Sequence, residues 1–164
     1  MYSTMFVLAL NGTCVGMEAD QTTLRWQPDY AIACGKGREA GKPLAVFFGP
    51  GPDGWRKPAG EAGLSDEIIE LLRTEYVAVH VDTSRAAGKA KAAAFELPDG
   101  VGLVISDRGG SLQAFHHAGQ LASADLTRYL RRYASTGHTV TTTETVQREA
   151  GSYARPVVYS YCPT

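Results

Sequence analysis

The sequence predicts an α/β fold: a three-layer sandwich in which helices cover both faces of a mixed central sheet of four or five strands. Three observations lead there. Leu44–Gly49, Tyr76–Asp82 and Val101–Ser106 are apolar runs of strand length. Helical patterns separate the first two of these runs and then the second from the third, which forces parallel pairing somewhere in the sheet. The "DRGG" turn at Asp107–Gly110, followed by "SLQAFHHAG", adds an antiparallel hairpin.

Taken in order, Pro28 can open a helix at its first turn, with "PDYAIACGKGREAGK" following. Tyr30, Ala33, Cys34 and Gly37 then share one face, a narrow stripe of mostly small residues. Gly35 and Gly37 each cost about 1 kcal/mol relative to alanine, so this helix relies on docking. Gly41 and Pro43 stop it. An early strand near Leu24–Trp26 would precede it.

"LAVFFG" reads as a strand buried on both faces. In "LSDEIIELLRTEY", Ser65 is the expected N-cap, Asp66 and Glu67 suit the positive helix end, and Leu64, Ile68, Leu71 and Leu72 form the buried stripe. "YVAVHVD" alternates, with Val77, Val79 and Val81 on one face. The alanine-rich "SRAAGKAKAAAFEL" is a helix with Ser84 available as cap. "SADLTRYLRRY" closes the domain, turning Leu126, Tyr129, Leu130 and Tyr133 inward.

Organisation follows from these patterns. Residues 1–20 are an N-terminal segment, either a weak signal peptide or a strand; residues 21–135 are the folded domain; residues 136–164 are a Thr/Tyr-rich tail. The tail is expected to be solvated and flexible, with a short strand in "HTVTTTETV" as the less favoured alternative. The first apolar core, Met5–Leu10, has no Lys or Arg ahead of it, which leaves export to the periplasm or envelope and a cytoplasmic location equally open. "NGT" at Asn11 fits the glycosylation pattern, which matters only in a eukaryotic secretory route.

Composition excludes several classes of function. The 164 residues are 44% apolar and 20% charged, the balance of an ordinary globular chain with a core. A net charge of −1 gives no electrostatic footprint for nucleic acid or an anionic membrane. No apolar run approaches the roughly 18 residues of a membrane span. The three cysteines, Cys14, Cys34 and Cys162, form no C-x-x-C pair, so neither a zinc site nor a dithiol is indicated. Cys14 and Cys162 could pair if the chain is exported.

One stretch demands its own explanation. "FFGPGPDGWRKPAG", Phe47–Gly60, packs two prolines and three glycines into Gly49–Gly54, then sets Trp55 beside Arg56 and Lys57. Loops at the ends of central strands carry much α/β chemistry. Yet this one holds no cysteine, histidine or serine, and it lacks the G-K-[ST] ending of a phosphate cradle. Elsewhere, His116 and His117 are neighbours on a strand and point to opposite faces, so one metal cannot simply take both. His80 alternates against the valines of its strand. Ser111 and the acidic residues form no nucleophile–base set. No metal ligand set and no cofactor site is expected.

The order of elements, with Trp26, "REAGKPLAVFF", "LSDEIIELL" and "YVAVHVD", resembles the thioredoxin superfamily over Trp26 to Tyr133. It is most similar to bacterial thioredoxin-like domains that open with a tryptophan and a helix ending "GKP". The resemblance implies a thioredoxin-like fold and places the family's C-G-W-C turn on Asp53-Gly54-Trp55-Arg56, with Lys57 following. It places the family's active-site proline, usually in a cis peptide before a strand, at Pro98, and the glycine after the hairpin at Gly119. Both cysteine positions are overwritten, by Asp53 and Arg56. Dithiol exchange needs a low-pKa thiolate and a second thiol to resolve the mixed disulfide, and carboxylate and guanidinium supply neither.

The expectation is therefore a redox-inactive thioredoxin-like module for binding or scaffolding. Its candidate surface for a protein or peptide partner is Asp53, Gly54, Trp55, Arg56, Lys57 and Pro98. The alternative is an enzyme: single-cysteine redox or thiol-transfer chemistry on Cys34 or Cys162. A third reading tethers a partner through the tail, "YARPVVYSYCPT".

Overall fold

The structure, a computed structural model, describes residues 24–60, 63–108, 110–135 and 143–145. Residues 1–20, the Asn11 motif, Cys14 and Cys162 lie outside the described residues. Helix α1 (Tyr30–Ala40) leads into β1 (Leu44–Gly49), then a short 3₁₀ helix (Gly54–Ala59), α2 (Asp66–Glu75), β2 (Val77–Asp82) and α3 (Ala86–Ala94). The hairpin β3 (Gly102–Ser106) and β4 (Gln113–Ala118) follows, then α4 (Ser123–Ala134) and β5 (Glu144–Thr145).

These strands form one five-stranded sheet in the order β2-β1-β3-β4-β5. β1 pairs parallel with β2 and antiparallel with β3; β3 and β4 are the expected antiparallel hairpin. The sheet is mixed and sandwiched between helices, as the sequence predicts.

Alternation along β1 sorts the core into two layers. Ala45 and Phe47 join Ile68 and Leu72 of α2 and Leu126, Tyr129, Leu130 and Tyr133 of α4. Leu44, Val46 and Phe48 turn the other way, to Ala33 of α1, Val79 of β2 and Ala92 of α3. β1 is buried along its whole length, which is why it reads as an unbroken apolar run. The small-residue stripe of α1 has a direct cause: a Cβ on Gly37 would fall 2.6 Å from the Leu44 Cδ1 atom.

Local capping agrees with the sequence in two places and departs from it in two. The Ser65 hydroxyl accepts the Ile68 amide at 3.3 Å, and Gly41 ends α1 in the left-handed region at φ 62°. Pro28, however, stands outside α1; Asp29 is its N-cap and accepts the Ile32 amide at 2.9 Å. Ser84 does not cap α3 either, because its hydroxyl donates to Asp82 at 2.6 Å and the cap position falls to Arg85.

At the two rims the outcome is instructive. The early strand near Leu24–Trp26 reduces to one parallel bridge, Gln27 with Val79. Within the tail, Glu144–Thr145 pairs parallel with Phe115 and His116 of β4, so the short strand in "HTVTTTETV" is present. It is pinned by side chains: the Tyr133 hydroxyl donates to the Glu144 carboxylate at 2.7 Å, and Arg132 pairs with the same group at 2.8 Å.

Candidate functional site

The loop after β1 is shaped by a contact only glycine permits. A Cβ on Gly49 would sit 2.0 Å from the Gly54 carbonyl oxygen, and one on Gly54 would sit 2.3 Å from the Gly49 carbonyl group. The chain thus leaves β1, turns through Pro50–Asp53 and returns to touch its own starting point. Gly51 supplies the left-handed residue of that turn, at φ 78°.

Asp82, at the end of β2, ties this turn down. Its carboxylate accepts the Gly51 amide at 2.7 Å, the Ser84 amide at 2.9 Å and the Ser84 hydroxyl at 2.6 Å, and Arg85 lies 3.3 Å away. The Ser84 hydrogen bonds, chiefly, pull its pKa down to about 2. The conspicuous carboxylate of the sequence, Asp53, has a different place. It stands at the start of the 3₁₀ helix, exposed, and its side chain makes no capping bond. Asp53 and Arg56 form no ion pair with each other among the described residues; a backbone bond, the Arg56 amide to the Asp53 carbonyl at 3.1 Å, joins them.

Trp55 is half-buried and packs against the α2/α4 layer of the core. Its ring lies 5.3 Å from that of Trp26, and Trp26 in turn meets Phe47 at 5.3 Å and His80 at 6.3 Å, both edge-on. The Arg56 guanidinium covers the Trp55 ring at 4.8 Å, a contact worth about 0.5–1 kcal/mol at an exposed site. So a column runs Arg56, Trp55, Trp26, His80. It contains both tryptophans of the chain. His80 is half-buried beneath it; its Nε2 is fully buried and has no hydrogen-bond partner among the described residues. Burial lowers its pKa, against the opposing influence of the Gly49 backbone and of Asp82 and Asp53.

The predicted surface therefore divides. Lys57 and Arg56 are exposed beside the tryptophan column, whereas Gly54 is buried. Pro98 stands elsewhere, exposed in a turn closed by the Gly100 amide donating to the Leu97 carbonyl at 3.0 Å. With Pro50, Ser84, Lys89, Leu97 and Gly100 it lines an open cleft of about 890 Å³. It is thus Pro50, from the first half of the loop, that meets Pro98 across this cleft, not Asp53–Lys57. Pro98 is not in a cis peptide, and the residue directly before β3 is Val101. The placement of the family's proline at Pro98 is corrected accordingly: three residues separate it from the strand. α3 ends just upstream with Glu96 in the left-handed region, φ 54°, which swings Leu97 into the core and sets the Pro98 turn at the cleft.

Sequence reasoning did not assign roles to Trp26, His80 or Asp82. The signal for Asp82 was available in "VDTS", an Asp followed two residues later by a serine at a strand end, the pattern of an Asx turn. The other two histidines among the described residues are structural: His116 Nε2 bonds the Phe95 carbonyl at 2.8 Å and His117 Nε2 the Gln120 carbonyl at 3.0 Å. Among the described residues no group of His, Cys, Asp and Glu is arranged to hold a metal. Nor is any described helix long and apolar enough to cross a membrane. Cys34 packs against the α1/α3 layer, on the opposite sheet face from Trp55.

Comparison with solved structures decides the fold. A thioredoxin from Thermus thermophilus superposes with a TM-score of 0.52 at 18% identity, covering 70% of this chain and 89% of that one. The fold is thioredoxin-like. A solved structure of a DsbH oxidoreductase aligns at 19% identity with a TM-score of 0.49, over 65% of this chain and 82% of that one. No family model matches the chain, and no curated protein sequence does. In this thioredoxin-like domain, β1 and α2 flank the Gly49–Gly60 loop.

Proposed function

We propose that this thioredoxin-like domain is a redox-inactive binding module, and that a protein or peptide segment docks at the face built from the β1–α2 loop and the Pro98 turn. The carrying observation is that the loop is elaborately held, by the Gly49–Gly54 contact and the Asp82 carboxylate, while bearing no thiol. Its side chains are those of recognition: an aromatic ring under a guanidinium, a neighbouring lysine, and a cleft walled by prolines.

Two separate surfaces, the tryptophan stack on the α2/α4 side and the cleft beside α3, then take different parts. The Arg56–Trp55 stack offers a flat, cationic platform, and the Pro50–Pro98 cleft offers depth. Two measurements test the reading. Thiol-dependent reduction of insulin disulfides by the purified protein would defeat it. Capture of a specific partner, lost with Trp55→Ala or with a bulky replacement of Pro98 while the fold is retained, is the supporting result.

A further inference from the structure

His80 occupies a place that the binding reading leaves unused. It lies in β2 opposite Phe47 of β1, under the edge of Trp26, and Trp26 carries Trp55 on its other contact. Trp55 belongs to the 3₁₀ helix whose first residue, Gly54, rests on Gly49. The His80 ring is thus linked to the loop through two aromatic contacts, His80–Trp26 and Trp26–Trp55, and the loop in turn is seated on Gly49.

The protonation states of the imidazole differ sharply in this position. Neutral, the ring needs one donor bond, and the buried Nε2 can remain a bare lone pair at modest cost. Protonated, both nitrogens carry hydrogens, and the one on Nε2 would point into a site with no acceptor among the described residues. An unpaired buried donor on a charged ring is costly. Because the residue is half-buried, a ring rotation that gives up the Gly49 backbone bond would offer Nε2 a route to water. The charged groups acting on it are Asp82 on its own strand and Asp53 on the loop; β1 presents the Gly49 backbone, and the stretch ahead of α1 the uncharged Trp26. Asp82 is already committed to Gly51, Ser84 and Arg85, whereas the Asp53 side chain caps nothing.

We propose that His80 is a proton-operated latch under the Trp26–Trp55 column: neutral, it holds the loop closed, and protonated, it rotates out and loosens the tryptophan face. The inference rests on the binding reading of that face only for its consequence, which is weaker partner binding in acid. The sign follows from the ring's burial. The folded pKa lies below the ordinary 6.5, so the closed form is fully favoured above pH 6.5 and is lost as pH falls through the folded value.

The test uses the free chain, so that its failure is separate from any failure to find a partner. Both tryptophans of the protein sit in the column, and intrinsic fluorescence reports on it directly. Scanned over roughly pH 8 to 4.5, the wild type should show one emission change with a midpoint below 6.5. His80→Gln should abolish it and His116→Gln should leave it. A flat wild-type profile, or an unchanged transition in His80→Gln, overturns the latch. Should His80→Gln fail to fold, NMR titration of wild type decides. The His80 imidazole and the Trp26 and Trp55 indole N–H resonances must shift together, and independent titration or a His80 midpoint at or above 6.5 overturns it.

Discussion

Gly49 and Gly54 meet backbone to backbone, with room for no side chain on either: an added Cβ would fall 2.0 Å and 2.3 Å, respectively, from backbone atoms of the other. The contact holds the two ends of the loop together. Gly49→Ala and Gly54→Ala are each expected to cost about 1–3 kcal/mol in urea unfolding, the range for overpacked sites. Gly35→Ala is the contrasting case. It lies inside α1 with open space around its Cβ position, and should stabilise by up to about 1 kcal/mol.

Arg108 should matter more than its turn position implies. From the β3–β4 turn its guanidinium donates to the Gly41 carbonyl at 2.8 Å, at the end of α1, and to the Ala134 carbonyl at the end of α4. One cation thus serves two helix C-termini, where carbonyls lack partners and positive charge is favoured. Arg108→Ala is expected to lower stability by about 2 kcal/mol. Arg108→Lys should recover only part, since an ammonium cannot reproduce the fork. Chemical denaturation of the three proteins checks both statements.

The acid limb of stability should carry the signature of Asp82. Its folded pKa is depressed from 3.8 to about 2, so its contribution is complete above pH 3.8 and lost as pH falls through about 2. The stability gap between wild type and Asp82→Asn should be level above that window and close within it. The loop should also register the change, with faster amide exchange at Gly51 in Asp82→Asn.

Restoring two thiols tests the correspondence of the loop with a dithiol turn. Asp53 and Arg56 are joined by an i to i+3 backbone bond of 3.1 Å. The double variant Asp53→Cys, Arg56→Cys is expected to close a disulfide on mild oxidation, seen as loss of both free thiols at this pair without dimer formation. Thiols that stay free, or that bridge only between molecules, would remove the correspondence.

Much of this architecture is legible in the residues because it rests on burial. The unbroken run of β1, the stripes of α2 and α4 and the "DRGG" hairpin each follow from periodicity and turn chemistry. The site was less legible because its parts are distant in sequence. Nothing local tells that Trp26 lies on Trp55, that Asp82 reaches Gly51 across the sheet, or that Pro98 faces Pro50 rather than Trp55. Ser84 illustrates the same limit: a residue fit to cap a helix was taken by a nearer carboxylate.

The small strand β5 covers part of a sheet rim. Exposed β-strand rims are templates for adding further chains. Here Glu144, held by Tyr133 and Arg132, lays two residues along part of the β4 rim. Trimming the chain after Ser135 would leave both core layers in place and uncover this stretch of ladder. The expected defect is colloidal rather than conformational: similar unfolding behaviour, but a lower concentration at which aggregates form.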